Sequence, residues 1–83
     1  MFKNEYDKVR FLVEKYHEKV YVHSHLFPVV SIAQKYKWEI PNVNEDLLMS
    51  IALGHDLFED TLCTPYDARE ETRLSDFVIF NIK

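Results

Sequence analysis

The sequence predicts a small all-α domain of four to five helices. Apolar residues recur at three- and four-residue steps along most of the chain, which is the period of one helix face. Residues that favour helix starts, Asn4, Asn44 and Thr64, stand ahead of these stripes. A single glycine and three prolines leave little material for long flexible linkers.

The first helix is expected over 3–20, capped by Asn4, with Tyr6, Val9, Val13, Tyr16 and Val20 forming its stripe. A break is expected around 21–24. The second helix runs to about Tyr36, with Val29, Ile32, Ala33 and Tyr36 facing inward. Its start stays open. Ser24 can cap it, whereas Pro28 disfavours helical geometry at Phe27 and suits the first helical position. His25 then lies in the first turn or just ahead of it. Trp38-Glu39-Ile40-Pro41 is expected to end this element.

Asn44 begins the third helix, with Glu45 and Asp46 complementing the dipole in its first turn. Leu48, Ile51, Ala52, His55 and Phe58 are expected on its inward face. Gly54, read as mid-helix, costs about 1 kcal/mol against alanine. Its missing side chain either admits a close neighbour or is simply tolerated. Thr64-Pro65-Tyr66-Asp67 starts a fourth helix: Thr64 caps, Pro65 fits the first position and Asp67 reaches back. The tail Phe77-Val78-Ile79-Phe80-Asn81-Ile82 is apolar and β-branched, and too short for periodicity to separate a buried helix from a strand.

Eighty-three residues make one domain. Such a chain buries only about 60–65% of its unfolded surface, so a partner subunit or a metal would help it. A 47% hydrophobic and 14% aromatic content argues against disorder. With a net charge of -4 and no basic block, nucleic-acid binding is not expected. No apolar run approaches a membrane span, and Met1-Phe2-Lys3-Asn4-Glu5 lacks the apolar stretch of a signal peptide. The lone Cys63 allows no internal disulfide, which makes a cytoplasmic location the simplest expectation. The apolar tail is expected to pair copies of the chain into a homodimer.

The chemistry gathers around His55. Glu59 follows His55 by four residues and Asp60 follows Asp56 by four, so each pair shares a helix face. Neighbouring residues point about 100° apart on a helix, so His55 and Asp56 can reach one ion only by flanking it at a helix end. Imidazole and carboxylate donors together suit divalent Mn, Fe, Co or Zn. Most histidines on an apolar stripe are hydrogen-bonded core residues, and most acids at helix ends are simply solvated.

A longer pattern adds to this. Ile51-Ala52-Leu53-Gly54-His55-Asp56-Leu57-Phe58-Glu59-Asp60-Thr61-Leu62-Cys63-Thr64 resembles the signature of the RelA/SpoT-type (p)ppGpp hydrolases, members of the His-Asp (HD) superfamily of metal-dependent phosphohydrolases. His25-Leu26-Phe27-Pro28-Val29 resembles that family's first metal histidine with its following valine, and His17 and Tyr21 echo the family's order. The resemblance spans roughly 17–83 and corresponds to the N-terminal, metal-binding half of an HD domain. It implies His25, His55 and Asp56 as metal ligands, Mn foremost as the metal, and Glu59 and Asp60 as the acids that position or activate the attacking water. It implies hydrolysis of a nucleotide phosphate or pyrophosphate ester. An alternative is a shortened, catalytically inactive HD-like domain that acts by binding another protein as an inhibitor or regulator.

The chain departs from the family pattern in three ways. The family takes a fourth ligand, aspartate or asparagine, from a helix further downstream, and neither Asp67 nor Asp76 matches that motif position. The family's proline directly after the first histidine is missing, with Pro28 three residues on instead, so His23 rivals His25 as the ligand. The family's basic, glycine-containing loop is replaced by Glu18-Lys19-Val20-Tyr21-Val22.

Overall fold

A computed structural model describes residues 2–36 and 44–82. The expected stop at Trp38-Glu39-Ile40-Pro41 and the Tyr36 side chain lie outside the described residues. The chain is all-α, with no strand among the described residues. Its elements are α1 (Glu5–Tyr16), α2 (Lys19–Tyr21), a π-helical segment (Val22–Leu26), α3 (Phe27–Tyr36), α4 (Glu45–Gly54), α5 (Leu57–Asp60), α6 (Pro65–Thr72) and α7 (Asp76–Ile82).

The helix starts follow the sequence signals. Asn4 caps α1 by accepting from the Asp7 N–H at 2.9 Å, and Asn44 caps α4 by accepting from the Leu47 N–H at 3.2 Å. Thr64 and Asp67 form the reciprocal capping box of α6: the Asp67 N–H donates to Thr64 Oγ1 at 3.1 Å, and the Thr64 N–H donates to Asp67 Oδ2 at 3.2 Å. One cap is long-range. Asp46 of α4 accepts from the backbone N–H groups of Glu5 and Tyr6, so one carboxylate both serves its own first turn and ties down the start of α1.

Besides α3, where Val30 is buried and the expected Ile32 is 54% exposed, the interior differs from the expectation in four places. First, α1 stops at Tyr16, because His17 and Glu18 are extended; Val20 then lies in a new helix that begins at Lys19 and is 75% exposed instead of closing the α1 stripe. Second, the expected break at 21–24 is helical. Helix continues from 19 to 36 through Pro28, with Phe27 itself in helical geometry. A proline ring crowds the carbonyl four residues back and offers no N–H. The chain answers by widening just ahead of Pro28: the Phe27 N–H reaches five residues back to the Val22 carbonyl, in a π-helical stretch. Third, α4 buries Met49, Ser50, Leu53 and Gly54, not the expected Leu48, Ile51 and Ala52, which are half-buried. Leu47 to Leu53 is apolar apart from Ser50, so periodicity could not identify the face that turns inward. Fourth, α4 ends at Gly54, which makes this glycine terminal and leaves His55 and Phe58 outside the α4 core stripe.

The tail is a helix. The Val78 N–H donates to Ser75 Oγ at 3.3 Å, Val78, Ile79 and Ile82 are buried, and Phe77 and Phe80 are 57% and 77% exposed. The core joins Val9, Leu12 and Val13 of α1 to Val22, Leu26 and Val30 of the 19–36 helix. Met49, Leu53 and Leu57 complete it from one side, and Val78, Ile79 and Ile82 from the other.

Gly54 sits where these layers meet. A β-carbon there would stand 2.7 Å from Ile82 Cδ1 and 3.0 Å from Val9 Cγ1, so the missing side chain admits close neighbours. Overpacking a filled core costs typically about 1–3 kcal/mol. Gly54→Val is expected to destabilise by that amount in chemical denaturation. The cost should shrink in an Ile82→Ala background, because the two side chains compete for one space. Equal costs in both backgrounds would contradict the packing described.

Candidate metal centre

Four elements build this site. At the end of α4 a two-residue turn, His55-Asp56, interrupts the helix. His55 remains close to helical, Asp56 turns to φ -102°, ψ 0°, and Leu57 starts α5. This sparsely populated backbone region is one where functional residues are often found. The turn lets two adjacent side chains face one point, which a continuous helix forbids.

His55 is fixed by its own backbone. Its Nδ1 lies 2.7 Å from the Ala52 carbonyl oxygen, a contact that requires the proton on Nδ1. Nε2 is left on the other side of the ring, 3.1 Å from Asp56 Oδ2: it donates there when protonated and carries the free lone pair when the ring is neutral. His25 arrives from the π segment with its Nε2 3.6 Å from the same oxygen. The two imidazole rings stand 5.8 Å apart, centre to centre. One donor atom from each of His25, His55 and Asp56 lies within 4.8 Å of the others.

The two separations from Asp56 Oδ2, 3.1 and 3.6 Å, are of the size that a shared ion imposes. Two ligands each about 2.1 Å from a metal stand about 3.0 Å apart at a right angle and about 3.4 Å at the tetrahedral angle. The 3.6 Å between His25 and Asp56 is too long for a hydrogen bond, so hydrogen bonding does not hold His25 in place. It is held instead by stacking on Tyr21, one turn earlier, at 5.0 Å. Tyr21 in turn donates its hydroxyl to Asp56 Oδ2 at 2.5 Å, and that bond pushes the phenol up to about 12. The site is open to solvent: the His25 and His55 side chains are 47% and 37% exposed, and that of Asp56 19%.

His23 points elsewhere. Its ring packs edge-on against Phe27, and it lines a small depression with Arg10, Glu14, Lys19 and Val22. Of the two rival histidines, His25 is the one beside His55. Glu59 and Asp60 are both exposed. Asp60 joins Tyr16, His17, Glu18 and Tyr21 around an open depression of about 480 Å³ beside the cluster, and its charge reaches His17 and Tyr21. Glu59 is not part of that lining. Neither later aspartate approaches the cluster: Asp67 is committed to the α6 capping box, and Asp76 pairs with Arg69 at 2.7 Å.

The signature's threonines act as local clamps. The Thr61 hydroxyl donates to the Leu57 carbonyl at 2.5 Å and accepts from the Cys63 N–H at 3.1 Å, closing α5, while Thr64 caps α6. Cys63 is buried, and burial pushes its thiol up to about 11, which makes it a poor nucleophile near neutral pH.

No family model, curated protein or solved structure matches the chain. The arrangement of side chains is therefore what carries the functional argument.

Sequence reasoning missed His17's part. Its ring stacks on the other face of Tyr21 at 5.0 Å, and its Nε2 is buried with no hydrogen-bond partner among the described residues. Burial lowers its pKa from 6.5, against the pull of Asp56 and Asp60. A histidine depressed in this way contributes stability above its unfolded pKa, and that stability is lost as pH falls through the folded value. In an NMR titration, His17 should therefore protonate below 6.5, and His17→Phe should flatten the loss of stability on acidification from pH 6.5. A His17 midpoint at or above 6.5 would contradict the burial assigned to it.

Proposed function

We propose that His25, His55 and Asp56 hold a divalent metal ion, Mn foremost, and that the chain hydrolyses a nucleotide phosphate or pyrophosphate ester in the manner of the (p)ppGpp hydrolases its His55–Thr64 segment resembles. The observation that supports this reading is the convergence of three donor atoms, from two helical segments thirty residues apart in sequence, within 4.8 Å. The donor set fits: two neutral imidazole nitrogens and one carboxylate suit Mn, Fe, Co or Zn.

When bound, such an ion acidifies water and offsets charge on the phosphate. The residues supply the rest. His55 keeps Nε2 turned to the cluster because Nδ1 is engaged by the Ala52 carbonyl. Asp60, exposed beside Tyr21, accepts the proton of the attacking water, and Glu59 helps to orient it. The water oxygen adds to phosphorus, the phosphorus–oxygen ester bond breaks, and the leaving oxygen is protonated from solvent.

Two further parts belong to the same proposal. The free, buried Cys63 fits a reducing cytoplasm, and no helix among the described residues is long and apolar enough to cross a membrane. The exposed Phe77 and Phe80 of α7 form the surface through which two copies associate.

Metal analysis and a nucleotide hydrolysis panel with Mn²⁺ added test the reading together. The expected result is about one metal per chain and measurable turnover. Glu59→Ala or Asp60→Ala should reduce turnover by about 10²–10⁴-fold while retaining the metal. His25→Ala, His55→Ala and Asp56→Ala should lose the metal. Light scattering on the same samples should give about twice the 10.0 kDa chain mass, falling to one chain when Phe77 and Phe80 become serine. Metal without turnover would favour the inactive HD-like domain that binds another protein. A folded protein that takes up no metal overturns the reading.

A further inference from the structure

We infer that Tyr21 is a positioning residue for the His25–His55–Asp56 centre, acting through its hydroxyl on Asp56 and through its ring on His25. The inference rests on the metal reading above and adds a residue whose part in this chain comes from contacts, not from sequence spacing.

Tyr21 touches two members of the cluster from outside it. Its hydroxyl donates to Asp56 Oδ2 at 2.5 Å across a sequence separation of 35 residues. The same Oδ2 faces both histidine Nε2 atoms, at 3.1 and 3.6 Å. The bond therefore fixes the carboxylate oxygen on which the other two donors converge. On its other side the ring stacks on His25 at 5.0 Å with a 30° tilt, which sets the direction of an imidazole that lacks a short hydrogen bond to Asp56. His17 also stacks on the Tyr21 ring, at 5.0 Å and 25°, so the Tyr21 ring is packed by two imidazoles.

The backbone explains how Tyr21 can do both. Tyr21 and His25 are four residues apart and share a face. The π segment begins immediately after Tyr21 and carries His25, and its wider turn reconciles this face with Pro28 downstream. Asp56 comes from the turn between α4 and α5, where no helical hydrogen bonding fixes its side chain. The Tyr21 hydroxyl supplies the constraint that this turn lacks. Hydrogen bonds that orient ligating carboxylates typically change metal affinity by about 10–100-fold when removed.

Tyr21→Phe removes the hydroxyl and keeps the stacked ring. Mn²⁺ alone is the probe, titrated calorimetrically into the full chain. Tyr16→Phe is the control: it removes another phenol bonded to a carboxylate, that of Glu71, outside the cluster. The expected result is Mn²⁺ binding weakened about 10–100-fold in Tyr21→Phe and unchanged in Tyr16→Phe, with the two metal-free proteins melting within a few degrees of each other. Wild-type affinity in Tyr21→Phe overturns the inference while leaving the metal reading intact. Equal weakening in both variants also overturns it, because the loss would then be general. If the wild-type chain is folded and binds no Mn²⁺, the metal reading fails and the positioning role fails with it.

Discussion

The turn at His55-Asp56 is the constraint on which the candidate centre depends. Helix α4 runs to Gly54, where a β-carbon would crowd the side chains of Ile82 and Val9. Just beyond, the chain must redirect before Leu57, fully buried, begins α5. Two adjacent residues at that redirection can aim at one point, and they do so opposite the helix that carries His25. Packing and site are therefore linked. The contact that closes α7 onto α4 is one residue away from His55, so the tail helps to define where the donor atoms lie.

The cluster is polar, solvent-accessible and held mainly by neutral contacts. His55 is fixed through a backbone carbonyl, His25 through ring stacking, and Asp56 through a phenol. Both histidine Nε2 atoms face the same Asp56 Oδ2, at 3.1 and 3.6 Å. The open face leaves room for water or substrate. Asp60 is the acid best situated to serve that face, while Glu59 stands outside the adjoining depression.

Local chemistry was legible in the sequence wherever one residue decides an outcome. Asn4, Asn44 and the Thr64–Asp67 box mark helix starts because each side chain satisfies a backbone donor within three residues. The all-α class followed from periodicity, and His25, His55 and Asp56 could be named together only through a resemblance. Tertiary compromise was not legible. The helix through Pro28 needs a π segment whose only signature is the backbone path itself. The inward face of α4 could not be read, because nearly all its faces are apolar. The end of α1 at Tyr16 reflects a ring column, His17 on Tyr21 on His25, that joins residues across a break. Tyr21's bond to Asp56 and Asp46's cap on α1 each span 35 residues or more, beyond the reach of local pattern.

In the proposed centre, His25 from the π-helical segment and His55 and Asp56 from the α4–α5 turn share one ion. Anomalous scattering at the manganese edge, from crystals grown with Mn²⁺, tests this most directly. The account predicts a single strong peak at about 2.0–2.2 Å from His25 Nε2, His55 Nε2 and an Asp56 carboxylate oxygen, with Tyr21 Oη hydrogen-bonded to that carboxylate. A peak on other residues, or none between His25 and His55 in a crystal of the folded chain, would contradict it.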